Sequence, residues 1–193
     1  TLWHTLSLHD ALPISRLPDV ERLRDASVQL DLGGHDPGLF STADLVVVSP
    51  GVPPLDVLDV AERRGVPLIS EVELAFLCSR AEVVGITGSN GKSTVTTMTG
   101  SILSRSSRPA FTGGNLGTAP SVAVGSEADV DGGIFVLELS SFQLERVRSF
   151  RCEAATVLNV SPDHMDRYRD LDHYASAKGN VFVNQGDGDH AVV

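Results

Sequence analysis

The sequence predicts an α/β protein built on a parallel, doubly wound sheet with a phosphate-binding loop, and three observations lead there. Apolar, β-branched runs alternate along the chain with helical segments, the order that gives parallel strands joined by crossover helices. Two of the later runs, "GGIFVLELS" (132–140) and "AATVLNVS" (154–161), are apolar without alternation, as strands covered on both faces are. Finally, "GITGSNGKSTVTT" (85–97) places a glycine-rich loop between an apolar strand and a helix, the position at which α/β sheets receive phosphate groups.

The elements follow in order. "DLVVVSPG" (44–51) is a β-branched run closed by a Pro-Gly breaker, and "LDVLDVAERRG" (55–65) has helical spacing and stops at Gly65. "VPLIS" (66–70) is a short strand and "EVELAFLCSR" (71–80) a helix. "EVVGIT" (82–87) is the strand before the glycine loop, and "KSTVTTMTGSILSRS" (92–106) the helix after it. The change near 79–82 divides a smaller leading domain, 16–80, from a nucleotide-binding one, 81–193. Residues 1–15 are set aside from the fold, because "TLSLHDALPI" (5–14) resembles a translated sequencing adapter. The chain has no initiator Met, and "DHAVV" (189–193) enters a new strand, so a gene fragment is expected.

Charge and cysteine usage narrow the function classes. Lys and Arg number 15 against 25 Asp and Glu, a formal charge of −10, which disfavours nucleic acid and anionic membrane surfaces as partners. No apolar run approaches the roughly 18 residues needed to span a bilayer. Cys78 and Cys152 are far apart and lack a C-x-x-C or histidine context, so neither a zinc site nor a disulfide framework is indicated and a reducing cytoplasm is expected.

The glycine loop departs from the usual spacing. G-x-x-x-x-G-K-[ST] would require glycine at position 86, where Ile86 stands; glycines occur instead at Gly85, Gly88 and Gly91. The chemistry is nevertheless complete. Gly88 and Gly91, with Ser89 and Asn90 between them, let backbone N–H groups approach phosphate oxygens; Lys92 adds a cation, and Ser93 or Thr94 can hold a metal at the positive end of the next helix. Glu138 ends an apolar strand, where a carboxylate needs a partner or a cation. "DVDG" (129–132) superficially offers the D-x-x-G loop of a GTP-binding switch, but the guanine-reading N-K-x-D is absent. A non-catalytic remnant that binds nucleotide alone stays open.

"GITGSNGKST" (85–94), "GGNLG" (113–117), "ELSSFQLE" (138–145), "NVSPDHMDRY" (159–168) and "YASAK" (174–178) together resemble the Mur ligases. "SPGVP" (49–53) and "GVPLISEVEL" (65–74) are weaker matches. Within that family the loop is G-[ST]-x-G-K-[ST], which accounts for Ile86. The resemblance implies the family's central ATP-binding domain, preceded by part of a smaller Rossmann-like α/β domain, with the amino-acid-binding third domain missing. The branch most similar in "GGNLG" and "ELSSFQLE" adds D-glutamate to UDP-N-acetylmuramoyl-L-alanine through an acyl phosphate, using ATP and Mg2+ in peptidoglycan precursor synthesis.

The same resemblance assigns residues. Lys92 contacts the β- and γ-phosphates; Ser93, Glu138, His164 and Lys178 serve the metal sites, Lys178 as a carbamate; Asn115 and Ser49 face the muramoyl substrate. Imidazole is an unusual ligand for magnesium and suggests a site that also accepts manganese. Asp163 and Asp166 are expected to be solvated or supporting acids, "SSFQLE" mainly structural, Lys178 helical, and the protein monomeric.

Overall fold

The computed structural model describes residues 5–8, 23, 25–32, 34–50 and 52–193, in two compact units: 1–46 with 52–68, and 47–51 with 69–193. In the smaller unit β1 (Thr5–Leu8) pairs in parallel with β2 (Gln29–Leu32). These four residues lie within the segment expected to be adapter-like, and "TLSL" alternates polar and apolar residues with the period of a strand. The remainder of that segment lies outside the described residues. Helix α1 (Pro37–Thr42) starts where Asp36 accepts a hydrogen bond from Gly38 N at 2.8 Å and Pro37 pre-sets the first turn. It packs on α2 (Asp56–Arg63).

Strands β3 (Val46–Val48) and β4 (Leu68–Ser70) pair with each other. The remaining elements of the larger unit begin with α3 (Glu71–Cys78), capped by Ser70, whose hydroxyl accepts from Glu73 N. The contact division falls at 68/69 rather than at the expected change near 79–82, and the anchoring of α3 supplies the reason. Glu73 is 1% exposed, and its carboxylate accepts from the backbone N–H groups of Arg148, Ser149 and Phe150 at 2.8, 2.7 and 2.9 Å. Phe76 packs edge-on against Phe150, with ring centroids 5.6 Å apart. The helix therefore belongs to the larger unit by packing as well as by hydrogen bonding.

The main sheet contains β5 (Glu82–Thr87), β6 (Ala110–Gly114), β7 (Ile134–Glu138), β8 (Ala154–Val157) and β9 (His190–Val192), in the order β6-β7-β5-β8-β9. Every pairing is parallel, as the doubly wound reading requires. Helix α4 (Lys92–Leu103) covers one face, where Val95 and Leu103 meet Ile86, Ile134 and Val136. The other face joins Val83, Phe135 and Leu137 to Val72, Phe150 and Val181. Side chains of opposite parity along one strand thus feed two cores, which is why the runs look continuously apolar.

The chain runs from β5 out to β6, back to β7 beside β5, and then across to β8 on the other side of β5, and the crevice at such a reversal opens at the carboxyl ends of the strands. Three further helices frame that edge: α5 (Pro120–Ala123), α6 (Ser141–Leu144) and α7 (Leu171–Gly179). Ser140 and Gln143 form a capping box at α6, and Asp170 caps α7 by accepting from His173 N at 2.8 Å. Among the described residues no helix is long and apolar enough to cross a membrane.

Replacing Glu73 with Ala leaves the N–H of buried Phe150, and those of the more exposed Arg148 and Ser149, without their acceptor. With about 1–3 kcal/mol for each unsatisfied buried donor, urea unfolding of Glu73→Ala is expected to show a loss of about 2–3 kcal/mol, most of it from the buried Phe150 N–H. A loss below about 1 kcal/mol would mean that water replaces the carboxylate.

Candidate functional site

The glycine loop leaves β5 at Thr87, whose buried hydroxyl donates to Leu139 O at 2.7 Å. Gly88 has φ 149°, and a Cβ there would lie 3.1 Å from Leu158 Cβ and 3.3 Å from both N and O of Asn159. Only glycine combines that backbone with so close an approach. Gly91, at φ 84°, is the N-cap of α4, so the unpaired N–H groups of the first helical turn face the loop. Lys92 folds back and donates from Nζ to Ser89 O at 3.0 Å. Ser93 and Thr94 are exposed in the first turn.

A second segment grips the loop from β8. Asn159 Oδ1 accepts from Asn90 N at 2.9 Å, Nδ2 donates to Asn90 O at 3.0 Å, and the Asn159 carbonyl accepts from Ser89 N at 2.9 Å. The Ser89 hydroxyl donates to Ser161 O and accepts from Ser161 N, both at 3.0 Å. The loop's backbone is thus held by a neighbouring strand end, with the N–H groups of Ser89 and Asn90 paired to Asn159.

Lys178 lies beneath. It is 1% exposed, donates from Nζ to Gly88 O at 2.8 Å and stands 4.4 Å from the centroid of the Tyr174 ring one helical turn earlier. Burial first, and the Lys92 charge second, draw its ammonium down to about 8, opposed by the Asp163 carboxylate.

Glu138, at the end of β7, pairs in register with Ile86 and is 3% exposed. Its Oε1 accepts from Asn115 Nδ2 at 2.9 Å, whereas Oε2 is buried without a partner. A buried carboxylate oxygen left alone is costly. A hard cation is the partner its chemistry suits, so the residues present fit a divalent metal.

His164 adopts φ 54° and packs its ring 4.8 Å from Phe142 and 6.4 Å from Tyr174. Its Nε2 is 3.6 Å from Asp163 Oδ2, while its own N–H donates to Asp163 Oδ1 at 2.9 Å. Asp163 and Asp166 are exposed. No group of three or more His, Cys, Asp or Glu side chains is gathered for a metal among the described residues. The candidate donors are therefore spread around the loop. Ser49 is exposed just after β3, and Asn115 is tied to Glu138.

Several residues at this edge lie inside the resembling motifs without a role assigned to them from the sequence. Asn159 and Ser161 grip the loop, Tyr174 faces Lys178, and Phe142, within "SSFQLE", packs on His164. The available hint is position: Asn159 follows an apolar strand at the carboxyl edge, where α/β sheets place ligands.

A parallel sheet whose central strand opens into a glycine loop and helix defines a P-loop α/β domain. The chain belongs to the Mur ligase family: residues 86–193 match the Mur ligase middle domain. It is 54% identical over 170 residues to the UDP-N-acetylmuramoylalanine--D-glutamate ligase of Anaeromyxobacter dehalogenans, covering 86% of this chain and 36% of that protein. It is 43% identical over 175 residues to the same-named protein of Desulfatibacillum aliphaticivorans, covering 90% and 38%. The chain thus spans less than two-fifths of the length of these curated relatives. Its fold is similar to that of UDP-N-acetylmuramate:L-alanyl-gamma-D-glutamyl-meso-diaminopimelate ligase from Neisseria meningitides, with a TM-score of 0.59 at 18% identity, covering 97% of this chain and 62% of that one.

Asn159→Ala removes both side-chain hydrogen bonds to Asn90. Native-state amide exchange of residues 88–91 is expected to quicken about tenfold, while the most protected strand amides change less. Uniform acceleration of both sets would assign Asn159 to global stability. Lys178 supplies a pH dependence. Its folded value, about 8, lies below the unfolded value of roughly 10.4. The unfolded chain therefore holds more protons between these values, and stability rises with pH across that window, the penalty being complete below it. Unfolding free energies measured from pH 7 to 10 should rise more steeply for the unaltered chain than for Lys178→Met, and parallel slopes would place the titration elsewhere.

Proposed function

We propose that this chain is the nucleotide-binding part of an ATP-dependent ligase that joins D-glutamate to UDP-N-acetylmuramoyl-L-alanine, making an amide for peptidoglycan precursor synthesis as a cytoplasmic monomer. The observation carrying this reading is the convergence of the gripped glycine loop, buried Lys178 and the half-satisfied Glu138 at one sheet edge. The names of the similar relatives support the choice of substrates.

A carboxylate is a poor acyl donor, because its leaving group would be oxide. Phosphorylation removes the obstacle: a substrate carboxylate oxygen attacks the γ-phosphorus and ADP leaves. The amine nitrogen of D-glutamate then attacks the acyl carbon, phosphate leaves and the amine gives up a proton. In this reading the loop from Gly88 to Gly91 and the first turn of α4 hold the phosphates through N–H groups other than those of Ser89 and Asn90, which Asn159 engages, and Lys92 moves from Ser89 O to neutralise charge as the γ-phosphoryl transfers.

Ser93, with Thr94 beside it, would be the hydroxyl ligand of a phosphate-bound magnesium, and Glu138 would offer the unpartnered Oε2. Magnesium, when bound, supplies charge neutralisation on the phosphates. Resemblance to the family assigns His164 and a carbamylated Lys178 to a second ion. The lowered Lys178 value keeps part of the amine neutral at physiological pH, and only neutral amine adds carbon dioxide, with loss of a proton. Ser49 and the carbonyl of Asn115 are the proposed contacts to the muramoyl substrate.

The test is a chimera in which this chain replaces the matching segment of the Anaeromyxobacter relative. It is expected to form ADP, phosphate and the D-glutamyl amide, with Lys92→Ala lowering the rate by at least about a hundredfold. A folded chimera that makes no amide, or a Lys92→Ala form with unchanged rate, would overturn the reading.

A further inference from the structure

We propose that Asn115 is a positioning residue that makes Glu138 a one-oxygen ligand for a divalent cation, by engaging Oε1 and leaving Oε2 as the single free donor. The inference rests on the reading of Glu138 as a metal ligand, and concerns what fixes that ligand. The torsion that turns a carboxylate about its last carbon–carbon bond is broad. A lone Glu138 at the end of β7 would therefore present either oxygen, or both. The 2.9 Å hydrogen bond from Asn115 Nδ2 to Oε1 removes that freedom, and Oε2 is the buried atom left without a partner.

The hold is built from the backbone upward. Asn115 N donates to Glu138 O at 2.8 Å, so the same residue grips both the main chain and the side chain of Glu138. Gly114 makes the approach possible: it has φ 105°, and a Cβ there would lie 2.3 Å from Glu138 O. Gly114 N in turn donates to Thr118 O at 2.9 Å, closing the turn that presents Asn115. The amide is the suitable group. A carboxylate in its place would repel Glu138, and a hydroxyl would be too short to span the gap. Magnesium demands near-octahedral geometry, so a carboxylate already locked to one oxygen meets the ion without reorganising. Asn115 is itself exposed, and shortening it removes no buried core side chain.

The experiment titrates the 193-residue chain with Mn2+ in the presence of a non-hydrolysable ATP analogue, following free Mn2+ by electron paramagnetic resonance. The unaltered chain, Asn115→Ala, Asn115→Ser, Glu138→Gln and the Asn115→Ala/Glu138→Gln double variant are compared, each with a thermal melt. Each Asn115 variant is expected to weaken Mn2+ binding about 10- to 100-fold. The double variant should bind no more weakly than Glu138→Gln alone, because Asn115 acts through that carboxylate. A residue supporting only the loop would instead add its own loss. Weakening by Glu138→Gln with no effect of either Asn115 variant, or with additive losses, overturns the inference and leaves Glu138 as a ligand. Absence of saturable Mn2+ binding, or unchanged binding in Glu138→Gln, overturns the ligand reading and the inference with it.

Discussion

The site depends on how closely the chain leaving β5 approaches the chain leaving β8. Gly88, at φ 149°, meets Leu158 and Asn159 so closely that an added Cβ would be both strained and tightly crowded, and the later contacts build on that approach. Asn159 reaches both polar backbone groups of Asn90, Ser161 meets Ser89, and the Gly88 carbonyl turns to Lys178. A loop oriented in this way need not be ordered by its ligand, so binding loses less conformational entropy.

Three buried charged side chains show different solutions to desolvation. Glu73 receives three backbone donors, and its carboxylate serves the fold. Glu138 has one oxygen satisfied and one bare, an arrangement that is costly unless something else completes it. Lys178 has one carbonyl and one aromatic face, and burial with the nearby Lys92 charge weakens its hold on the proton. Complete satisfaction marks the structural anchor, whereas incomplete satisfaction gathers at the sheet edge where the glycine loop opens. A lysine perturbed in this way is of the kind that concentrates where chemistry is done.

The aromatic residues after β7 and β8 join these parts. Phe142 on α6 touches the His164 ring, stacks parallel to Tyr168 with centroids 6.0 Å apart and lies 4.5 Å beneath the Arg167 guanidinium. Arg167 and Tyr168 both bond Glu145. The segment after Glu138 and the one carrying His164 are thereby packed together, so the two regions of candidate metal donors share one set of side chains.

The sequence by itself determined the parallel sheet, the loop and the helix after it, because apolar runs, glycines and lysine act locally: β5 and α4 begin where "EVVGIT" and "KST" predict. It also marked Glu138 and Lys178, since a carboxylate ending an apolar strand and a lysine in a resembling motif stand out without coordinates. β6 was not legible, because "AFTGG" is poor in strand formers and gains its place from pairing with β7. The strand in "TLSL" was missed for the converse reason: a segment set aside by its origin still alternates with the right period. Only the tertiary structure decided that α3 joins the larger unit, that Asn159 grips Asn90, and that Asn115 holds one oxygen of Glu138. Each of these contacts links residues 23 to 77 positions apart, and no local pattern encodes which distant donor meets which acceptor. That choice is made when the strands align and the polar groups buried between them must find partners.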